Sequence, residues 1–235
     1  MNSLVELLGP QTLPRTTPRI HAAGAGALLF DPANGSFDAE LQQRLIALAR
    51  RIHESFGNDS PHEVVLGVNN LLFVFDPLRI HPRDAGVLLQ RMWETVEPSL
   101  HARREIEIPV VYGGQAGEDL MELAASASLD VREYVRRHSS AVYTVACIGS
   151  MPGFAYMTGL PAELHVPRRK VPRMKVPVGT VIVGGTQAGV MPCTAPSGWH
   201  LIGKTDVEMF RLDRREACLL APGDRVQFSV KRIEL

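Results

Sequence analysis

Tyr143-Thr-Val-Ala-Cys-Ile-Gly-Ser-Met-Pro-Gly-Phe-Ala-Tyr156 is the stretch at which the texture of this chain changes. An apolar run, Tyr143–Ile148, is stopped by the tight turn that Pro152-Gly153 favours. Phe154 and Tyr156 follow at alternate positions, which an extended strand projects to one side. Downstream, short β-rich runs at Val178–Val183, Trp199–Ile202 and Val226–Val230 are separated by Pro and Gly, with a second Pro-Gly at 222–223. Runs punctuated in this way predict an all-β barrel or sandwich.

Upstream of this stretch the hydrophobic period is mixed. Ala25–Phe30 is an apolar run ended by Asp31-Pro32 and reads as a strand. Leu41, Leu45, Leu48, Ile52 and Phe56 lie on one face of a helix that starts near Asp38 and stops at Gly57. Val64–Val68 and Leu71–Phe75 are joined by Asn69-Asn70, a residue type that tolerates positive φ, so they predict a hairpin. Pro82 opens a second helix through Leu88, Met92 and Val96, and alternation over Glu105–Val110 marks a further strand. The order β-α-β-β-α-β is that of a ferredoxin-like domain. Two short helical patterns, Asp119–Ala127 and Asp130–His138, precede the β-rich part. The expected organisation is α+β: a poorly ordered leader over 1–19, a small ferredoxin-like domain over 20–107, and a β domain over 108–235.

Composition narrows the classes of function. The 235 residues carry 25 Lys+Arg and 25 Asp+Glu, so a protein built to coat nucleic acid or an anionic membrane is not expected. Hydrophobic content of 45% against 21% charged fits a folded globular chain rather than a disordered one. Three widely spaced cysteines, Cys147, Cys193 and Cys218, form neither a disulfide framework nor a zinc pattern and point to a reducing cytoplasm. Met1–Arg19 lacks the basic start and apolar run of a signal peptide, and no apolar stretch approaches the ~18 residues of a membrane span.

Three features carry candidate chemistry. Val166–Val176 holds five cations and no acid, and two prolines stiffen it. Arg168, Arg169 and Arg173 suit a carboxylate or phosphate, although a solvated loop paired to surface acids is an equally ordinary reading. Pro152, Gly153, Phe154 and Tyr156 suit a pocket wall, or else core packing. Glycines at 184, 185 and 189 suggest that a ligand or another backbone comes close, with Gln187, Trp199 and His200 beside it. Gly198–Thr205 satisfies the phosphate-loop expression, but its bulky middle residues and the lack of a helical stripe after it argue against that reading. No nucleophile elbow, zinc-protease motif or metal-spaced cluster occurs, Cys147 reads as core, and no catalytic residue is assigned.

Taken together, several motifs resemble the family of 5-oxoprolinase B subunits. They are Val110–Gly114 with Gly117 and Asp119-Leu120, His138-Ser139, Pro152–Tyr156, Pro167–Arg169, Pro172-Arg173, Gly198–Gly203 and Pro222–Val226. That family includes the Kip-type inhibitor of a sporulation sensor histidine kinase and corresponds to carboxyltransferase subdomains C and D. The resemblance implies a small α/β domain followed by a cyclophilin-like β-barrel. It implies work with a homologous barrel, the C subunit of 5-oxoprolinase, and with the A subunit to open 5-oxoproline to L-glutamate, with ATP as co-substrate and no metal site in this chain. On that basis Arg168, Arg169, Arg173, Gln187 and His200 are expected to meet the anion, and Pro152, Gly153, Phe154, Tyr156, Gly189 and Trp199 to wall the pocket. Departures from the family's usual residues at Ser150, Ala188, Met191, Ser197 and Lys204 bear on which lactam or amide is bound. The competing expectation is a Kip-like binding module whose groove docks a histidine kinase.

Overall fold

The computed structural model describes residues 18–35, 37–57, 62–98 and 104–235. The leader expected over 1–19 therefore lies outside the described residues up to residue 17, and Arg19 opens the first strand. In the N-terminal part, β1 (Arg19–Ala22), β2 (Ala27–Asp31), β3 (His62–Leu66) and β4 (Leu71–Phe75) form an antiparallel sheet of order β1-β2-β4-β3. Helix α1 (Ala39–Phe56) begins where the Asp38 carboxylate accepts the Leu41 amide at 3.0 Å. It ends at Gly57, whose φ of 68° with ψ 170° is a backbone conformation that only glycine adopts readily, and whose amide donates to His53 O at 3.0 Å. Helix α2 (Pro82–Thr95) starts on Pro82, whose fixed φ suits a first turn. Leu45, Leu48 and Ile52 of α1 and Leu89, Met92 and Trp93 of α2 bury one face each against Phe30, Leu71 and Phe73 of the sheet. The hairpin expected at Asn69-Asn70 is present, with Asn69 at φ 58° and the Gly67 amide donating to Asn70 O at 3.0 Å.

The sixth element departs from the expected ferredoxin-like order. Strand β5 (Glu105–Gly113) does not return to this sheet, and β1 takes the outer place beside β2 instead. The physical reason lies in the partners of β5. Ile108, Val110 and Tyr112 are fully buried in a second core, and the strand runs parallel to β13 (Arg225–Glu234) along its whole length.

That second core fills the β-barrel that the Pro/Gly-punctuated runs predict. Helices α3 (Leu120–Ser126) and α4 (Val131–Ser140) come first, then β6 (Val142–Ile148), β7 (Ala155–Thr158), β8 (Arg173–Val176), β9 (Thr180–Gly184), β10 (Gln187–Val190), β11 (Ala195–Ser197) and β12 (His200–Lys204). Seven strands close in the order β10-β7-β6-β13-β5-β12-β9, while β8 and β11 pair into a separate two-stranded ribbon. Val145, Met157, Val181, Val183, Ala188, Val190, Ile202 and Phe228 point inward, and Leu120, Leu123, Tyr134 and Val135 of α3 and α4 pack onto the same core. Cys147 is buried, and desolvation pushes its thiol up to about 11, so it is an inert part of the packing. Gln42 of α1 joins the two parts. Its amide nitrogen donates to Gly67 O at 3.1 Å and to Ala146 O of β6 at 2.9 Å, and its oxygen accepts the Asn69 amide at 2.6 Å.

Candidate functional site

Strand alternation sorts the residues of β10. Ala188 and Val190 belong to the barrel core, so Gln187 and Gly189 face outward. On the outer wall, Phe154, Trp199, Val176, Ile182, Met191 and Leu201 form a separate apolar cluster with Tyr156 packed against it. Phe154 lies 4.9 Å from Tyr156 and 5.8 Å from Trp199, ring centre to ring centre, both edge to face. The glycines expected to leave a hollow make room for these rings instead. A Cβ on Gly189 would stand 3.0 Å from Phe154, and one on Gly184 would stand 2.8 Å from Trp199. The Pro152-Gly153 turn leads into Phe154 and packs against Met209 and Phe210.

The basic loop lies beside this aromatic face. The Arg168 guanidinium sits 5.5 Å from the centre of the Trp199 ring, within cation–π range, and has no carboxylate partner among the described residues. His200 Nε2 donates to Pro167 O at 2.9 Å and so ties the loop to β12. The structure thus brings Arg168, Phe154, Tyr156 and Trp199 onto one face, with Gln187 on the outward side of the barrel, whereas His200, between Trp199 and Leu201, alternates away from that cluster and serves as the tie to Pro167.

Arg169 and Arg173 turn elsewhere. Asp119, just ahead of α3, receives Arg173 in two bonds, Nη2 to Oδ1 at 2.7 Å and Nη1 to Oδ2 at 3.0 Å. The same carboxylate accepts the Leu201 amide of β12 at 2.7 Å and Arg169 Nη1 at 3.4 Å. Arg173 Nε also reaches Glu118 at 2.7 Å. Asp119 is therefore a hub that fastens the ribbon, the basic loop and the barrel wall together. Burial pushes its carboxyl up, but the hydrogen bonds from Arg173 and Leu201 and the charges of Arg173 and Arg169 outweigh that and leave it below the ordinary carboxylate value. Reading the sequence by residue type places Asp119 only at a helix start. The one signal that marks it is its place in the Gly117…Asp119-Leu120 motif.

Arg173 also lines a groove of about 1040 Å³ that opens between β5, β8, β12 and β13. Val111, Pro177, Leu201 and Val207 supply apolar wall, and Arg173, Lys175, Lys204, Lys231 and Arg232 supply positive charge. The phosphate-loop expression at Gly198–Thr205 falls on β12 and its entry, with Trp199 buried and no helix following, so the strand-to-helix geometry of such a loop is absent. Its Lys204 is nevertheless one of the groove cations. Among the described residues no group of three or more His, Cys, Asp and Glu side chains is arranged to hold a metal, and no helix is long and apolar enough to cross a membrane.

Comparison with known proteins fits this architecture. Residues 18–220 match the carboxyltransferase domain, subdomain C and D. The 5-oxoprolinase B subunit of Haemophilus influenzae is 40% identical over 194 residues, covering 83% of this chain and 89% of that protein. The protein of the same name from Escherichia coli O157:H7 is 43% identical over 189 residues, covering 80% and 84%. The crystal structure of TTHA0988 superposes with a TM-score of 0.75 at 30% identity. It covers 87% of this chain, but the match spans only 39% of that longer protein.

Proposed function

Because the chain belongs to the carboxyltransferase subdomain C and D family, we propose that it is the B subunit of an ATP-dependent 5-oxoprolinase, opening 5-oxoproline to L-glutamate in the cytoplasm. The observation that carries this reading is the 40% and 43% identity to proteins of that name over four fifths of the chain. The geometry supports a shared rather than a self-contained active site. Of the buried carboxylates among the described residues, Asp119 is committed to Arg173, Arg169 and Leu201 and Asp224 to Arg104, and Cys147 is a core thiol, so none of them acts as a free base or nucleophile.

On this reading the chain supplies recognition and its partners supply chemistry. Arg168, stacked beside Trp199, presents its guanidinium to the substrate carboxylate, with Gln187 as a polar neighbour and His200 tying the loop at Pro167. Phe154, Tyr156, Trp199 and the Pro152-Gly153 turn form the wall, and Gly189 admits the Phe154 ring into it. Arg169 and Arg173 act through Asp119, holding the loop that carries Arg168 in place. The exposed Val171 and Met174, 75% and 79% accessible, mark the ribbon face on which the homologous barrel of the C subunit closes, with the A subunit completing the complex.

The test is reconstitution. The purified chain alone is expected to turn over nothing, and the chain with its A and C partners to release ADP and glutamate only when 5-oxoproline is present. A complete complex that shows no 5-oxoproline-dependent ATP hydrolysis sinks the reading. Recovery of a histidine kinase in place of a barrel partner would move the chain to the regulatory class.

A further inference from the structure

The groove lined by Arg173 has a charge pattern that the aromatic face does not explain. Its three lining acids are each matched by a lining cation. Glu118 pairs with Arg173 at 2.7 Å, Asp206 pairs with Lys231 at 3.3 Å, and Glu234 pairs with Arg232. Lys175 and Lys204 are left over, with no acidic partner among the described residues. Lys175 stands two positions along β8 from Arg173, so both project to one side of the ribbon. Lys204 ends β12, where its backbone pairs with Val111 on one side and Thr180 on the other, and its stem lies over the Gly179 turn. Two strands from different layers therefore deliver one unmatched ammonium each into one groove.

The space and the walls narrow the ligand. A volume of about 1040 Å³ is at the upper end for small-molecule sites and exceeds what a five-membered lactam needs. Two uncompensated ammonium groups suit a ligand with more than one negative charge, because a monocarboxylate neutralises only one of them. The apolar wall at Val111, Pro177 and Val207 suits a flat ring. We infer that this groove binds a nucleoside triphosphate, with Lys175 and Lys204 on its phosphates and its ring against Val111 and Val207. The inference rests on the proposed ATP-dependent function and adds to it a location: the nucleotide sits on this chain, in a groove that adjoins the aromatic cluster at Leu201. The Asp119–Arg173 pair is fastened to both strands that carry the lysines and to the loop that carries Arg168.

The full chain without partners is titrated with ATP, and in parallel with inorganic pyrophosphate, by calorimetry at low ionic strength. ATP is expected to bind, roughly tenfold more weakly in Lys204→Met and in Lys175→Met, and to be lost in the double variant while the unfolding midpoint stays in place. Added salt is expected to weaken it, since exposed charges carry the contact. Absence of saturable ATP binding overturns the site, and so does binding that the double variant keeps in full. Pyrophosphate binding without ATP binding also overturns it, since the apolar wall then has no role. Should the double variant fail to fold, the single variants Lys175→Gln and Lys204→Gln decide by the same measure. Reconstituted activity is read separately. An active complex in which this chain binds no ATP keeps the function and loses the site, and ATP binding through these lysines in an inactive complex keeps the site and loses the function.

Discussion

Asp119 on the wall of the barrel and His138 inside it are both removed from water, yet they are held in opposite ways. Asp119 stays charged, because Arg173 and the Leu201 amide surround its carboxylate. His138 is fully buried beside Phe228, whose ring centre is 4.8 Å away, and burial pushes its imidazole down to about 3. It shares one hydrogen bond with the Tyr112 hydroxyl at 2.8 Å, and its carbonyl accepts the Tyr143 hydroxyl at 3.0 Å. Its Nε2 and the Tyr134 hydroxyl have no protein partner among the described residues. The charged hub touches the loop, the ribbon and the groove, whereas the neutral ring touches only the core. Of these two buried groups the paired one thus ties the basic loop to the barrel wall, and the desolvated one belongs to the packing.

The largest effect is expected from breaking the charged hub. Asp119→Ala leaves the Arg173 guanidinium, which is only 20% accessible, with Glu118 as its one remaining acidic partner among the described residues and removes the acceptor of the Leu201 amide. Losing one partner of such a pair should cost about 3–5 kcal/mol in urea denaturation. Asp119→Asn keeps an acceptor for Leu201 and leaves Glu118 on Arg173, so it should cost less. Equal losses in the two variants would mean that charge, not hydrogen bonding, holds the ribbon.

The neutral centre should respond less to truncation and more to acid. His138→Leu removes the partner of the Tyr112 hydroxyl in a dry site and is expected to cost about 1–3 kcal/mol. The pH windows of the two centres differ. The folded pKa of His138 lies well below the unfolded value near 6.5, so its contribution is complete above that pH and is lost progressively as the pH falls toward 3. Asp119 also has a lowered folded value, so its contribution is complete above the ordinary aspartate pKa and is lost only as the pH falls through that lower range. Wild-type stability should begin to decline near pH 6.5, and His138→Leu should make that decline shallower down to about pH 3, with His53, whose value is also lowered by burial and by His62, leaving a residual slope. A slope unchanged by the substitution would mean that His138 is protonated in the folded chain.

How much of this was legible follows the same division. The helices on Leu45, Leu48 and Ile52 and on Met92, and the β texture after Tyr143, depend on local period and were readable. The destination of β5 was not, because alternation over Glu105–Val110 is the same whether the strand closes a four-stranded sheet or runs beside β13 more than a hundred residues away. The arginines at 168, 169 and 173 were readable as a basic loop, but their separate fates depend on Asp119, some fifty residues upstream. Gly184 and Gly189 signalled a close approach, and the approaching group is the chain's own Trp199 and Phe154. Residue type thus announces that a special contact exists, and only the fold says with what.

The smallest structural effect, and the sharpest test of which arginines serve the ligand, comes from Arg168. It makes no ion pair among the described residues and touches only the edge of the fold through Trp199, so Arg168→Ala should move stability by no more than about 0.5–1 kcal/mol. Arg173→Ala should lose more, because Asp119 is then left buried with Arg169 as its nearest remaining cation, at 3.4 Å. In the reconstituted complex the ranking should reverse in its cause. Arg168→Ala should raise the KM for 5-oxoproline roughly tenfold, equivalent to about 1.5 kcal/mol of charge-assisted hydrogen bonding, with the fold intact. Arg173→Ala should lose activity in step with its stability. If Arg168→Ala leaves KM unchanged, the aromatic face does not receive the substrate carboxylate, and recognition must lie in the groove that Arg173 lines.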